Sequence, residues 1–115
     1  MSYMLLIVEP VGQRQQRTED EGKGLYDRML RFADDLKQRG VLQAAQSLKT
    51  EASRLQVRDG RRTLVDGPFA EAKEMVGGYF LLDCATRDEA VSIAAECPAA
   101  QWATIEVREF GPCFT

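Results

Sequence analysis

A run of apolar residues opens the chain, from position 3 to position 9. The run is too short for a typical helix, and it lacks the alternation of a strand with one wet face, so it predicts a buried central strand. Pro10 and Gly12 end that strand. No basic segment precedes the run, so its pattern favours a strand over a signal peptide.

An amphipathic helix is predicted next, because apolar residues recur at helical spacing along an otherwise polar segment: Leu25, Met29, Phe32 and Leu36. Such a stripe is typical of a helix that packs on a sheet. Thr18 and Glu21 have the spacing of a capping box. Gly22 and Gly24 disfavour helix at that point, so the helix begins either at this box or one turn later. Gly40 predicts where it ends.

A second strand is predicted over residues 41–48, and a β-hairpin follows it. Asp59-Gly60 lies between two strand-like segments, and a type I′ turn needs the positive φ angles that such a pair allows. The hairpin carries four arginines: Arg54, Arg58, Arg61 and Arg62. These either bind an anionic ligand or acidic partner, or they are solvated charges that protect a strand edge.

The segment after the hairpin is rich in residues that break strands. The Gly-Pro pair at 67–68 ends the second hairpin strand, and residues 71–74 have room for one helical turn. Gly77 and Gly78 then predict a tight entry into a buried strand over residues 79–84.

A second helix and a last strand complete the pattern. Thr86 and Glu89 have capping-box spacing, and Pro98 predicts the end of the helix that they begin. The last strand is predicted over residues 102–110. The resulting order is strand, helix, strand, hairpin, strand, helix, strand, which is the α+β, ferredoxin-like βαββαβ plan with an inserted hairpin.

The predicted sheet is too apolar to face water on the side that no helix covers. Leu5, Ile7, Phe80 and Leu82 leave little polar surface on either side of the central strands. An apolar face of this kind predicts burial against a partner. We therefore expect a homodimer formed by sheet-to-sheet packing, with two-fold symmetry.

Length, charge and composition narrow the classes of function. At 115 residues with a net charge of −3, the chain fits one domain, residues 1–115, and has no basic surface that would favour nucleic acid or an anionic membrane. It has no histidine, which excludes a Ser-His-Asp arrangement and a histidine metal site. Its three cysteines are odd in number and widely spaced, so they predict neither a disulfide scaffold nor zinc. We expect a cytoplasmic protein with no metal, no cofactor, no nucleic-acid partner and no membrane partner.

From Asp66 onward the sequence resembles the YCII-related family and its DGPF branch. The resemblance rests on Asp66-Gly67-Pro68-Phe69, on residues 70–74 and on Gly77-Gly78-Tyr79. It extends through the opening strand and the helix exit at Arg39-Gly40-Val41-Leu42, and so covers nearly the whole chain. It implies a dimeric α/β-barrel in which two ferredoxin-like protomers place their sheets face to face.

The resemblance implies less about activity. The founding branch of the superfamily is proposed to use a His-Asp pair in a cleft, and its histidine would fall near Met29 in this sequence. That pair cannot form here, since the chain has no histidine. Some proteins of the DGPF branch are associated with extracytoplasmic-function sigma factors.

The residues around the DGPF motif are the candidate site. Asp66 is the candidate catalytic acid or base, and a ligand would be held by Asp66, Pro68, Phe69, Glu71, Lys73 and Tyr79. Structural interpretations compete with each role. The Asp66 carboxylate could cap its own turn, and Glu71 and Lys73 could be solvated surface charges. The Tyr79 ring could simply pack at a sheet end, as Trp102 could pack in the core or at a dimer contact.

Three functions remain open at this point. The first is a small protein that binds a small molecule in a cleft near residues 66–79. The second is an acid–base enzyme that uses Asp66 or Glu71 on a small polar substrate. The third is a protein-interaction module linked to sigma-factor regulation through the charged hairpin.

Overall fold

The structure is a computed structural model that describes residues 1–69 and 71–114; Ala70 of the DGPF segment and Thr115 lie outside the described residues. The described elements follow one another along the chain as β1 (Ser2–Pro10), α1 (Glu19–Gln38), β2 (Leu42–Ser47), β3 (Ser53–Arg58), β4 (Arg61–Asp66), β5 (Glu74–Asp83), α2 (Arg87–Glu96) and β6 (Thr104–Glu109). Short 3-10 helices span Arg14–Gln16 before α1 and Pro98–Gln101 after α2.

The main sheet has the strand order β2-β5-β1-β6, and its neighbouring strands are antiparallel. Strands β3 and β4 form a separate two-stranded sheet. With that hairpin set aside, the order of elements and of strands is that of the ferredoxin-like plan. The predicted α+β, ferredoxin-like fold with an inserted hairpin is confirmed.

Alternation along β1 separates two faces of the sheet. Leu5 and Ile7 are buried, whereas Leu6 between them is only partly buried. The buried face meets both helices, because one core contains Leu36 of α1 and Ile93 of α2 together with Leu5. Successive side chains of a strand point to opposite faces. Leu6 therefore lies on the face that neither helix covers, which we call the open face.

Helix α1 begins at the capping box and not one turn later. The Thr18 Oγ accepts a hydrogen bond from the Glu21 N–H at 3.1 Å, and the Glu21 carboxylate accepts one from the Thr18 N–H at 2.9 Å. The hydrogen bond from the Thr18 backbone N–H, and after it the Thr18 side chain, lower the pKa of Glu21 below its ordinary value of 4.5. The helix ends as predicted, with Gly40 in the left-handed region at φ +77°.

The segment that enters β5 differs from the prediction. Residues 71–73 form no helical turn, and β5 already begins at Glu74, so the predicted helical turn over 71–74 is wrong. The predicted tight entry at Gly77 is also wrong, since that glycine lies inside the strand. Ile7 of β1 pairs with Gly78, and Val8 pairs with Val76, which leaves Gly77 as the extra residue of a β-bulge.

The end of the chain follows the prediction more closely. Thr86 caps α2 by accepting a hydrogen bond from the Glu89 N–H, but the Glu89 carboxylate accepts from the Ala85 N–H rather than completing the box at Thr86. Pro98 ends α2 and begins the second 3-10 helix, which runs to Gln101. Strand β6 spans Thr104–Glu109 and is therefore shorter than the predicted strand over 102–110. Among the described residues, no helix combines the length and apolar character needed to cross a membrane.

The hairpin of β3 and β4 is exposed along both strands. Its turn has the predicted left-handed geometry, with φ +52° at Asp59 and +76° at Gly60. Leu64 and Val65 are adjacent in β4 and so point to opposite faces, yet both remain about half exposed, at 53% and 49%. Both faces of this hairpin therefore carry apolar side chains in contact with water.

Candidate functional site

A cleft of about 520 Å³ lies between α1 and the face of the sheet that carries the helices. One stripe of α1 forms its wall, with the residues Gly22, Leu25, Tyr26, Met29, Leu30 and Ala33. Their spacing along the helix places them on one face. Tyr26 and Leu30 are about half exposed, at 52% and 48%, so the cleft opens to solvent along this side of the helix.

The floor of the cleft comes from three strands. Ile7 of β1, Phe80 of β5 and Ala45 of β2 are among its lining residues, as are Gly77 and Gly78. Gly78 lies close to the neighbouring strand: a Cβ on it would stand 2.9 Å from the Gln46 carbonyl oxygen. The two glycines add no side chains to the floor, which leaves room above the sheet.

A buried ion pair closes one end of the cleft. Glu9 is 6% exposed, and its carboxylate accepts hydrogen bonds from the Arg14 Nε at 2.9 Å and the Arg14 Nη2 at 2.8 Å. The Arg14 guanidinium also donates to the carbonyl oxygens of Gly77 at 3.1 Å and Leu48 at 2.7 Å. The positive charge of Arg14 is thus balanced by Glu9, and its donors are directed to groups of the protein.

The bulge at Gly77 makes room for this ion pair. A Cβ at Gly77 would collide with the Glu9 carboxylate and would stand 2.7 Å from the Arg14 Nη2. Gly77 is therefore needed for a close approach of side chains to the backbone, not for a left-handed φ.

Two arginines contact the ring of Trp102, which lines the cleft. The Arg17 and Arg28 guanidinium carbons stand 5.8 Å and 5.4 Å from the centre of the Trp102 ring, within the range of cation–π contacts. The Gln13 side-chain amide donates to the Trp102 carbonyl oxygen at 2.8 Å, which ties the loop before α1 to the segment before β6. Arg17 and Trp102 line the cleft, and Arg28 does not.

The chemistry available to this cleft is that of recognition. Most of its wall is apolar, its buried carboxylate is paired, and Arg17 adds a positive charge. Met29 lines the cleft at the position near which the resemblance places the superfamily's histidine, and its Sδ lies 4.0 Å from the Cys97 Sγ. A thioether does not transfer protons, so Met29 gives the cleft an apolar contact in place of an acid or base.

The residues predicted around the DGPF motif lie elsewhere in the single chain. Asp66 ends β4, is exposed, and accepts a hydrogen bond from the Ser53 Oγ at 2.7 Å across the hairpin. The peptide bond between Gly67 and Pro68 is cis, and the Arg54 guanidinium carbon stands 3.7 Å from the centre of the Phe69 ring.

Glu71 and Lys73 are exposed, and the Lys73 carbonyl oxygen accepts a hydrogen bond from the Val11 N–H at 2.9 Å. All six predicted site residues are among the described residues, and Tyr79 is the one that lines the cleft. Tyr79 pairs with Leu6, so alternation along the strand places its side chain on the open face. Ligand binding by the DGPF loop stays a prediction.

Sequence reasoning did not single out Glu9, Arg14 or Arg17, and it placed Trp102 in the core or at a dimer contact. A charged residue at the end of an apolar strand was one available signal for Glu9, because buried carboxylates need a partner. For Arg14 and Arg17 the loop sequence offers no comparable signal, since their contacts depend on residues far away along the chain.

Comparison with known proteins identifies the family. The model of the YCII-related domain matches residues 1–112. The chain belongs to the YCII-related domain family. The predicted resemblance is thereby confirmed.

Two further proteins resemble this YCII-related chain. An uncharacterised protein of Rhizobium meliloti (strain 1021) is 43% identical over 61 residues, which is 51% of this chain and 49% of that protein. The matched region thus spans about half the length of that curated relative. The solved structure of 5-chloro-2-hydroxyhydroquinone dehydrochlorinase from Burkholderia phenoliruptrix AC1100, in complex with 2,5-dihydroxybenzoquinone, covers 96% of this chain and 94% of its own. With a TM-score of 0.58 and 17% identity, it shares the fold.

Proposed function

We propose that this YCII-related protein binds a small molecule in the cleft between α1 and the sheet. The observation that carries the proposal is the cleft itself: about 520 Å³, walled by one apolar stripe of α1 and closed by the Glu9–Arg14 pair. Ligand sites are typically concave, largely apolar and of 300–1,000 Å³, with a few polar groups that orient the ligand. A protein of the same fold is known in complex with a small ring compound, 2,5-dihydroxybenzoquinone, which is consistent with such a ligand.

An acid–base enzyme that uses Asp66 or Glu71 has less support. Both carboxylates are exposed, and Asp66 is bonded to Ser53 within the hairpin. Exposed carboxylates face bulk water, whereas ligand sites are typically concave and bury most of the ligand. The basic hairpin leaves an interaction with an acidic partner as an alternative role for that segment, separate from the cleft.

Gly22 offers a direct test of the cleft. It lines the cleft on α1, and a Cβ added there meets no atom within 4 Å. Gly22→Leu should therefore fold, with a helix more stable by about 0.8 kcal/mol, while its side chain fills part of the cleft. Gly24→Leu is the matched control, because Gly24 is in the same helix with equal open space and does not line the cleft.

The assay is a titration followed by amide chemical shifts, with 2,5-dihydroxybenzoquinone and 4-hydroxybenzoate as probes. The exposed Cys113 is first replaced by serine, because a thiolate can add to a quinone. We expect Gly22→Leu to weaken binding at least tenfold and Gly24→Leu to leave it unchanged. The proposal is contradicted if no probe binds, or if both glycine variants bind as the parent does.

We also propose that two copies associate through the open face. Met4, Leu6 and Val8 of β1 and Leu81 of β5 lie on it, and all four remain partly exposed in the single chain. Removing such a face from water is favourable by about 25 cal/mol per Å² of apolar surface.

Three free cysteines, two of them buried, are consistent with the cytoplasm as the compartment.

Sedimentation equilibrium tests the dimer. We expect twice the 12.9 kDa chain mass at micromolar concentration. Leu6→Asp should shift the protein to the monomer, because it would bury a charge in the interface. Val91→Asp, at an exposed position of α2, should leave the dimer intact. A parent protein that sediments as a monomer would refute the association.

A further inference from the structure

We propose that Arg17 makes the cleft selective for an anion, and that its ligand is a small flat compound with a delocalised oxyanion, such as an aromatic carboxylate or a ring enolate. This inference rests on the proposed function, because it names the class of ligand that the same cleft would take. It follows from the different contacts of three arginines, of which Arg14 and Arg17 line the cleft and Arg28 contacts Trp102 from outside it.

Two of the three arginines already have polar partners. Arg14 donates to the Glu9 carboxylate from Nε and Nη2, to the Gly77 carbonyl oxygen also from Nη2, and to the Leu48 carbonyl oxygen from Nη1. Arg28 lies outside the cleft and donates to the Gln101 Oε1 at 3.3 Å. The guanidinium groups of Arg14 and Arg28 are therefore engaged within the protein and are not directed at a ligand.

Arg17 is different. It lines the cleft and is partly buried, and within residues 1–69 and 71–114 its guanidinium makes no hydrogen bond or ion pair and contacts the Trp102 ring. Its charge also acts weakly on Glu21, but that carboxylate is bonded to Thr18 and makes no ion pair with Arg17. A guanidinium keeps its charge at any physiological pH and carries five donors, so Arg17 has both charge and hydrogen bonds to offer a ligand.

The surroundings of Arg17 favour an anion over other polar groups. Among the described lining residues the carboxylate is that of Glu9, which Arg14 neutralises, so Arg17 leaves the cleft with a positive excess. A guanidinium binds carboxylates and related oxyanions with two parallel hydrogen bonds, and such bonds are about twice as strong as neutral ones. The apolar wall next to it weakens competition from water.

The shape of the site favours a flat ligand body. Trp102 presents an indole ring beside Arg17, and the Gln13 amide holds its backbone in place. Leu25, Met29 and Phe80 line the adjoining part of the cleft. Aromatic rings stack on indole and pack well against thioether and phenyl groups. A ring with one oxyanion would place its charge at Arg17 and its apolar edge along α1.

The test compares 4-hydroxybenzoate with its neutral counterpart, 4-hydroxybenzyl alcohol, by amide chemical-shift titration. Arg17→Gln is the test variant and Arg28→Gln the matched control, because both lose a cation–π contact with Trp102 and only Arg17 lines the cleft. Arg17→Lys keeps the charge without the planar fork.

We expect the parent protein to bind the carboxylate at least tenfold more tightly than the alcohol. Arg17→Gln should lose that preference while its affinity for the alcohol changes less than twofold, Arg17→Lys should keep part of it, and Arg28→Gln should keep all of it. Equal binding of the two probes by the parent, or an unchanged preference in Arg17→Gln, overturns the selectivity and leaves the binding function intact. If neither probe binds, the selectivity fails, and the proposed function fails with it when 2,5-dihydroxybenzoquinone does not bind either.

Discussion

Replacing Gly77 by alanine tests how the bulge, the ion pair and the cleft depend on one another. The added Cβ would collide with the Glu9 carboxylate and crowd the Arg14 guanidinium. Since Glu9 is buried and held by two hydrogen bonds, its side chain cannot move without breaking the pair. Gly77→Ala should therefore act as a disruption of a buried ion pair, although it removes no charge.

The structure sets the magnitude. Breaking a fully buried pair costs about 3–5 kcal/mol. Arg14 keeps 30% of its side chain exposed, so water replaces part of what it loses. We expect Gly77→Ala to lower the free energy of unfolding by about 2–3 kcal/mol, which is roughly 8–12 °C in melting temperature for a domain of this size. Gly24→Ala, at an exposed helical site with open space, should instead raise stability by about 0.5–1 kcal/mol.

Urea denaturation followed by circular dichroism measures these changes, and a double-mutant cycle assigns their cause. In a Glu9→Ala background the carboxylate is gone and Arg14 is free to turn to solvent, so adding Gly77→Ala should cost less than about 1 kcal/mol. The reasoning is refuted if Gly77→Ala is as stable as the parent, or if it destabilises equally with and without Glu9.

Two further predictions concern the helix cap and the thiols. Thr18→Ala should destabilise the protein by about 1 kcal/mol at pH 7. The Thr18 backbone N–H, and after it the Thr18 side chain, lower the pKa of Glu21, so the stabilisation due to this carboxylate is complete above pH 4.5 and is lost as the pH falls through the lowered pKa. Alanine keeps the backbone N–H and removes the side-chain share, so the gap between parent and variant in urea melts should narrow as the pH falls through that range. A gap that widens at low pH would contradict this. Burial raises the pKa of the Cys84 and Cys97 thiols, whereas Cys113 is exposed. A disulfide reagent should therefore label one thiol rapidly in the folded protein and three in urea. Rapid labelling of all three thiols in the folded protein would contradict the burial.

The sequence pattern predicts most of the fold, because the spacing of apolar residues and the turn-forming residues depend on the local backbone and on which face of a helix or strand is buried. The apolar run at the start gave β1, the helical spacing gave α1, and Asp59-Gly60 gave the hairpin turn. The prediction was wrong where a residue serves a distant partner. The glycine pair predicts a tight entry into the strand at Gly77, whereas the structure requires glycine there because the Glu9 carboxylate of another strand lies against it.

The site was harder to predict for the same physical reason. The DGPF segment stands out in the sequence because it combines turn-forming residues with charged ones, and the family that it indicates is confirmed. The cleft is lined by residues that carry no recognisable motif in the sequence. Arg17 and Trp102, for example, are 85 positions apart and come into contact only in the folded chain. The resemblance places the superfamily's histidine near Met29, and Met29 does line the cleft on α1.

A crystal structure of the protein soaked with 4-hydroxybenzoate tests the central claim most directly. We expect the ring between α1 and β5, beside Trp102, with its carboxylate within hydrogen-bonding distance of the Arg17 guanidinium. A ligand bound instead at the loop after Asp66, with the cleft left to solvent, would contradict it.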